Sequence, residues 1–120
     1  VRGTSSKAII KALRKAGASK ITMLITYPPI RYPCYAGIDF PSQDELATYI
    51  DDKKYSEEEI IENVRRDIGA DFLGYNDPEN LANAIGIQKD SLCFTCTSGD
   101  YTSLGITPVF KTRKEMKGEV

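Results

Sequence analysis

The sequence predicts an α/β fold, on three observations. Ile9, Ile10, Leu13 and Ala16 form an apolar stripe at helical spacing, and a β-rich run over 21–27 follows at once. The same order recurs further on, where Ile60, Ile61, Val64 and Ile68 mark a helix and 71–75 a short strand. Composition agrees: 28% charged and 41% hydrophobic residues in a chain of 120 suit a soluble domain with one core.

Each element carries its own signals. Gly3-Thr4-Ser5-Ser6 reads as a turn feeding the first helix, with Ser5 or Ser6 as N-cap. Gly17 is placed to stop that helix. The run over 21–27 reads as a largely buried strand, ended by Pro28-Pro29. Helix followed by strand is half of a βαβ crossover. The strand that should precede the helix is absent and the chain opens on Val rather than Met, so the expectation is a processed chain or an internal fragment.

Residues 29–41 are irregular and hold Cys34. Ser42 with Glu45, and Ser56 with Glu59, each have capping-box spacing at a helix start. Gly69 should end the second of these helices. Asp77-Pro78 pairs an N-cap with Pro at the first helical position, Leu81, Ala84 and Ile85 should face inward, and Gly86 should end that helix. From Ser91 onward the chain reads as strand or loop carrying Cys93 and Cys96, and the last dozen residues are polar. No repeat or low-complexity tract is present.

Composition also excludes chemistry. No histidine occurs, so a Ser-His or Cys-His nucleophile within this chain is ruled out. Net charge is −1, which gives no reason to expect nucleic acid. No apolar run reaches membrane-spanning length and no signal peptide is visible. Charge is uneven, however. Arg2, Lys7, Lys11, Arg14, Lys15 and Lys20 open the chain without an acid among them, while 39–62 is strongly acidic. A basic start would place an anion site near the N-terminus; a solvated basic helix face explains the same charges.

Two motifs carry possible chemistry. The turn at 3–6 feeds a helix N-terminus, where converging N–H groups and the helix dipole favour an anion. Gly3 permits close backbone approach, and Thr4, Ser5 and Ser6 add hydroxyl donors. An ordinary capped helix has the same pattern. The second motif is Cys93-Phe-Thr-Cys96, a spacing that suits two thiolates on one metal or cluster, with Cys34 far off in sequence. A redox pair, zinc with ligands from elsewhere, or simply buried small side chains are the alternatives. Three cysteines without a secretory signal argue against a disulfide framework.

The wording around these motifs is more specific. V-R-G-T-S-S-K, followed by helix and strand, resembles the end of the phosphoribosyltransferase signature, in which an apolar strand leads into D-D-S-I-V-R-G-T-T-S. P-P-I-R-Y-P-C-Y-A-G-I-D-F-P-S, I-G-A-D-F-L-G-Y and C-F-T-C-T-S-G-D-Y are similar to blocks of the amidophosphoribosyltransferase family, in its order and at about its spacing. The resemblance covers the chain to about Tyr101 and leaves the tail from about Leu104 unsupported.

What the resemblance implies is the C-terminal part of a type I phosphoribosyltransferase doubly wound sheet with a helical C-terminal segment. The division would be 1–40 for the end of the α/β domain, 41–103 for the helical, cysteine-bearing segment and 104–120 for a polar tail. The implied activity is the first step of purine biosynthesis: glutamine and phosphoribosyl pyrophosphate give 5-phosphoribosylamine. By matched position Arg2, Gly3, Thr4 and Ser5, with Ser6 at the edge, would bind the substrate's 5-phosphate. The acids that handle the ribose, the Mg²⁺ ligands and the glutaminase nucleophile would lie outside this segment, so no catalytic residue is expected within it.

In the cluster-containing branch, Cys34, Cys93 and Cys96 match three ligands of a [4Fe-4S] centre whose fourth cysteine lies upstream. Thr97 departs from the family's usual Phe, which bears on packing near the cluster more than on ligation. The expected partners are the N-terminal part of the same enzyme and further copies in a homo-oligomer, in the cytoplasm, with neither nucleic acid nor membrane. The competing expectation is a non-catalytic phosphate- or metal-binding module from a split or decayed gene.

Overall fold

The structure is a computed structural model that describes residues 3–36 and 55–107. Its elements are α1 (Thr4–Lys15), β1 (Thr22–Ile25), α2 (Glu57–Ile68), β2 (Phe72–Tyr75), α3 (Pro78–Ile85) and α4 (Thr95–Ser98), with 3₁₀ turns at Lys89–Ser91 and Thr102–Leu104. β1 and β2 pair in parallel with Thr22 opposite Phe72 and Ile25 opposite Tyr75. Parallel neighbours need a crossover, and α2 lies between them in the chain. The expected α/β class is therefore found. The sheet joins residues on both sides of position 40, where the sequence suggested a division. The capping box expected at Ser42 and Glu45, Arg2, and the tail beyond residue 107 lie outside the described residues.

One core serves both helix–strand units. Ile10 of α1, Ile21, Val64 and Ile68 of α2, Ala70 and Leu73 are buried against one another, with Met23, Ile25, Ile61 and Tyr75 packed around them. In β1 and β2 the pleat sends Met23, Ile25, Leu73 and Tyr75 to this face and Thr22, Leu24, Phe72 and Gly74 to the other. The strand over 21–27 is accordingly shorter than expected and not largely buried. Leu24 is 70% exposed, because the helices cover only one face among the described residues.

The same one-sided layering corrects the first stripe. Ile10 is buried, whereas Ile9 and Leu13 are 54% and 44% exposed and Ala16 is also exposed. In α3 the buried residue is Ala82; Leu81 is half-buried, and Ala84 and Ile85 are exposed. The chain turns back after Gly86 so that the N–H groups of Gly86 and Ile87 both reach the Ala82 carbonyl, which buries that side of the helix. The stretch after Ser91 is not strand but a succession of helical turns, with Gly99 and Gly105 as left-handed stops.

Local stop and start signals were sound elsewhere. Ser56 and Glu59 form a reciprocal capping box, Asp77 accepts from the Asn80 N–H with Pro78 at the first position, and Gly69 and Gly86 end their helices with positive φ. Among the described residues no helix is long and apolar enough to cross a membrane.

A polar clasp ties the two helix–strand units at the start of the sheet. One Asp71 carboxylate oxygen accepts from the Ile21 N–H and from the Arg14 guanidinium, both at 2.7 Å. Arg14 also donates to the Ser19 and Gly69 carbonyls, and the Asp71 N–H returns a bond to the Ile21 carbonyl. These donors, the Ile21 N–H first and Arg14 next, hold the Asp71 carboxyl below the usual aspartate range. At the end of α2, Glu62 grips Arg65 through two bonds while Arg65 donates to the Ala70 carbonyl, fixing the turn into β2.

Two outcomes follow for stability. A carboxylate with a depressed folded pKa contributes above its ordinary range and loses that contribution as pH falls through the folded value. Acid titration of stability should therefore be shallower in Asp71→Asn than in the parent, measured by urea unfolding across the carboxylate range. In the same assay Ile68→Ala should cost about 3 kcal/mol as a buried truncation, and the exposed Ile9→Ala no more than about 0.5 kcal/mol.

Candidate functional site

Helix α1 begins at Thr4, two or three residues earlier than an N-cap at Ser5 or Ser6 would place it. Its N-cap is Gly3 at φ 87°, ψ −30°, and neither Ser5 nor Ser6 caps it, because both lie inside the first turn. The Gly3 carbonyl accepts the Lys7 N–H, which closes the first helical bond. No side chain caps α1 and its first turn holds no acid, in contrast to α2 and α3, whose own side chains fill that role. The N-terminal N–H groups around Thr4, Ser5 and Ser6 are thus left without a side-chain acceptor among the described residues. Gly3 and Ser6 are buried, while Thr4 and Ser5 face solvent. A turn of this shape can receive an anion on backbone donors at the positive end of a twelve-residue helix.

The basic charges of α1 are partly engaged elsewhere. Lys7 pairs with Asp67 at 2.9 Å and Arg14 with Asp71, so part of the charge asymmetry reflects contacts with α2 and β2.

The cysteines come from two segments that the fold brings together. Cys34 and Cys96 are half-buried, Cys93 is exposed, and none is in a disulfide. Cys93 precedes α4 and Cys96 sits within it. The Arg31 and Tyr32 N–H groups both donate to the Cys96 carbonyl, at 3.0 and 2.9 Å. The Tyr27 hydroxyl donates to the Cys93 carbonyl at 2.7 Å, and its ring stacks on Phe94 with centroids 5.8 Å apart. The Tyr101 hydroxyl donates to the Pro33 carbonyl, and its buried ring meets Tyr35 edge-on. Gly99 lies so close to the Tyr32 ring that a Cβ would sit 3.0 Å from it, at a backbone φ of 76°.

The thiols feel one another. Burial pushes the Cys96 thiol up, and the charges of Cys34 and then Cys93 add to the rise. The Cys93 thiol is pushed down by the Thr95 N–H and hydroxyl. Burial first, then the charge of Cys96, raises the Tyr27 phenol to about 12, so it remains a donor. Among the described residues no group of three or more His, Cys, Asp or Glu side chains is arranged around a metal position. What is present is a partial donor set: soft thiols from two segments, whose thiolate forms would repel one another unless a cation bound between them.

No family model matches the chain. It is 44% identical over 101 residues to the amidophosphoribosyltransferase of Methanothermobacter thermautotrophicus, covering 84% of this chain and 20% of that protein. It is 37% identical over 117 residues to the chloroplastic amidophosphoribosyltransferase 2 of Arabidopsis thaliana, covering 98% of this chain and 18% of that protein. Among solved structures it matches the glutamine phosphoribosylpyrophosphate amidotransferase of B. subtilis complexed with ADP and GMP. That match has a TM-score of 0.68 at 36% identity and covers 84% of this chain and 21% of that one. The chain is homologous to a segment of the amidophosphoribosyltransferases. It spans about a fifth of the length of the curated relatives it matches.

Within this segment, the described members of both predicted residue sets can be placed. Gly3, Thr4, Ser5 and Ser6 form the turn at α1, and Cys34, Cys93 and Cys96 share a neighbourhood without forming a closed cage. The Arabidopsis match reaches into the tail that the motifs left unsupported. Sequence reasoning missed Tyr27, Tyr32, Gly99 and Tyr101. The signal available for them was the density of Tyr, Pro and Gly beside Cys34 and Cys96.

In metal-free, reduced protein at neutral pH, Cys93 should alkylate with iodoacetamide well before Cys96. Peptide mass spectrometry at short times reads the order, and equal rates would contradict the placement of the two thiols.

Proposed function

We propose that this chain is the 5-phosphate-binding and cysteine-bearing C-terminal part of an amidophosphoribosyltransferase, a glycosyltransferase that makes 5-phosphoribosylamine from phosphoribosyl pyrophosphate and glutamine in the first step of purine biosynthesis. The observation that carries the reading is the start of α1: a buried Gly3 with positive φ, and a first turn with neither side-chain cap nor acid, in a segment homologous to these enzymes. In this role the backbone donors at Thr4, Ser5 and Ser6, aided by the Thr4 and Ser5 hydroxyls and by Arg2, hold the 5-phosphate. Ammonia released from glutamine displaces pyrophosphate at carbon 1 of the ribose through a transition state of oxocarbenium character. Gripping the phosphate fixes the sugar relative to ammonia and the departing pyrophosphate, which supplies orientation rather than proton transfer. Mg²⁺, its ligands and the glutaminase nucleophile belong to other parts of such an enzyme, and the segment alone is inactive.

The thiols of Cys34, Cys93 and Cys96 suit three of the four ligands of a [4Fe-4S] cluster, the fourth thiolate coming from outside this segment. When bound, the cluster supplies a covalent tie between the two cysteine-bearing segments and the body of the enzyme. The repulsion among the thiols supports that reading. A homo-oligomeric, cytoplasmic enzyme is the expected setting, although the Arabidopsis relative is a chloroplast protein.

Steady-state kinetics of the full-length gene product test the phosphate assignment. Ser5→Ala, which removes one hydroxyl donor to a charged group, should raise KM for phosphoribosyl pyrophosphate about tenfold with KM for glutamine unchanged. An unaltered KM would remove Ser5 from the site. A deletion strain that still makes phosphoribosylamine from glutamine would overturn the assignment as a whole.

A further inference from the structure

We infer that Tyr27 and Tyr101 are positioning residues for the cysteine site, holding its two segments together through hydroxyl-to-carbonyl bonds. The inference rests on the metal-site reading of the cysteines for its significance, but not for its geometry.

The two segments are residues 27–35 and 93–101. Each contributes one tyrosine that reaches across to the other. Tyr27, two residues beyond β1, donates to the carbonyl of Cys93 itself, and its ring lies on Phe94 inside the C-x-x-C turn. Tyr101, five residues after Cys96, donates to the carbonyl of Pro33, the residue before Cys34. The two ties are reciprocal, and each ends on or next to a cysteine backbone. Between them the Arg31 and Tyr32 N–H groups converge on the Cys96 carbonyl, and the Tyr32 ring covers Gly99, where a side chain would collide.

These bonds end on backbone carbonyls, and the Tyr27 hydroxyl also interacts with the Cys96 thiol. Tyr101 is 2% exposed, so its bond is protected from competing water. Partners of this kind, lying outside the ligands, orient metal-binding groups and set how readily the metal leaves.

Tyr27→Phe and Tyr101→Phe keep the rings and remove only the hydroxyls. In the full-length gene product, purified anaerobically, either change should speed iron release to a ferrous chelator by about tenfold. The thiolate-to-metal absorption band should shift as well, while far-UV circular dichroism stays that of the parent. Release rates and band positions equal to the parent's would overturn the inference. A second arm uses metal-free reduced protein and dibromobimane, which bridges neighbouring thiols. The parent should bridge Cys34 to Cys96, and the double variant should do so several-fold less; equal yields would overturn the inference. If the anaerobic parent carries no iron, the metal reading fails while the bridging yields still decide the role of the tyrosines.

Discussion

The architecture depends on a parallel pairing between two strands of four residues that lie about fifty positions apart. A two-stranded ladder of this length contributes little by itself. It is held by what surrounds its entrance: the Asp71 carboxylate takes the Ile21 N–H and the Arg14 guanidinium on one oxygen, and Arg14 reaches two further carbonyls. That clasp joins the end of α1, the start of β1 and the start of β2. Arg65, locked by Glu62, adds the turn from α2 into β2. With the entrance fixed, the pleat decides the rest, setting Met23, Ile25, Leu73 and Tyr75 against the helices and delivering Tyr27 to the cysteine segments just past the far end of the sheet.

The two candidate sites draw on backbone groups in opposite ways. At α1 the useful groups are N–H donors that no side chain has claimed. The lysines and arginines nearby contribute less than their number suggests, because Lys7 and Arg14 already face acids. A single exposed pair such as Lys7–Asp67 is worth little to stability, yet both pairs reduce the positive field available to a ligand. At the cysteines the useful groups are carbonyls, all accepting from the opposite segment. The anion site is therefore defined by what is left unpaired, and the thiol site by how completely its backbone is paired.

Much of this was legible in the sequence wherever a few adjacent residues decide the outcome. The Ser56–Glu59 box, Asp77-Pro78, Gly69 and Gly86 act within one turn of chain, and each behaves as its local chemistry dictates. The α1 cap was misread for an equally local reason. Serine is a good N-cap, and Gly3 takes the position only because its backbone enters the positive-φ region, which a sequence does not display. Burial was less legible. Ile9, Leu13 and Leu24 look like core residues, but whether a stripe is buried depends on which layers cover it. The tyrosine ties span 66 and 68 positions, so no periodicity could announce them. The blocks of resemblance located the cysteines without revealing the clamp around them.

The outer face of the sheet bears on why the segment is built as it is. Phe72 bends over Gly74 and meets Leu24, so closely that a Cβ on Gly74 would come within 3.1 Å of the Phe72 ring and 3.2 Å of the Leu24 methyl. The glycine is thus a site of side-chain convergence rather than a flexible point. The resulting patch is apolar, continuous and turned away from α1 and α2. Parallel sheets are stable when helices cover both faces. Here one face is covered among the described residues, in a chain that spans 20% of a homologous protein. Among the described residues, the exposed Leu24 and Phe72 are then sheet residues without a second layer. This accounts for a core that concentrates on Ile10, Val64, Ile68 and Leu73.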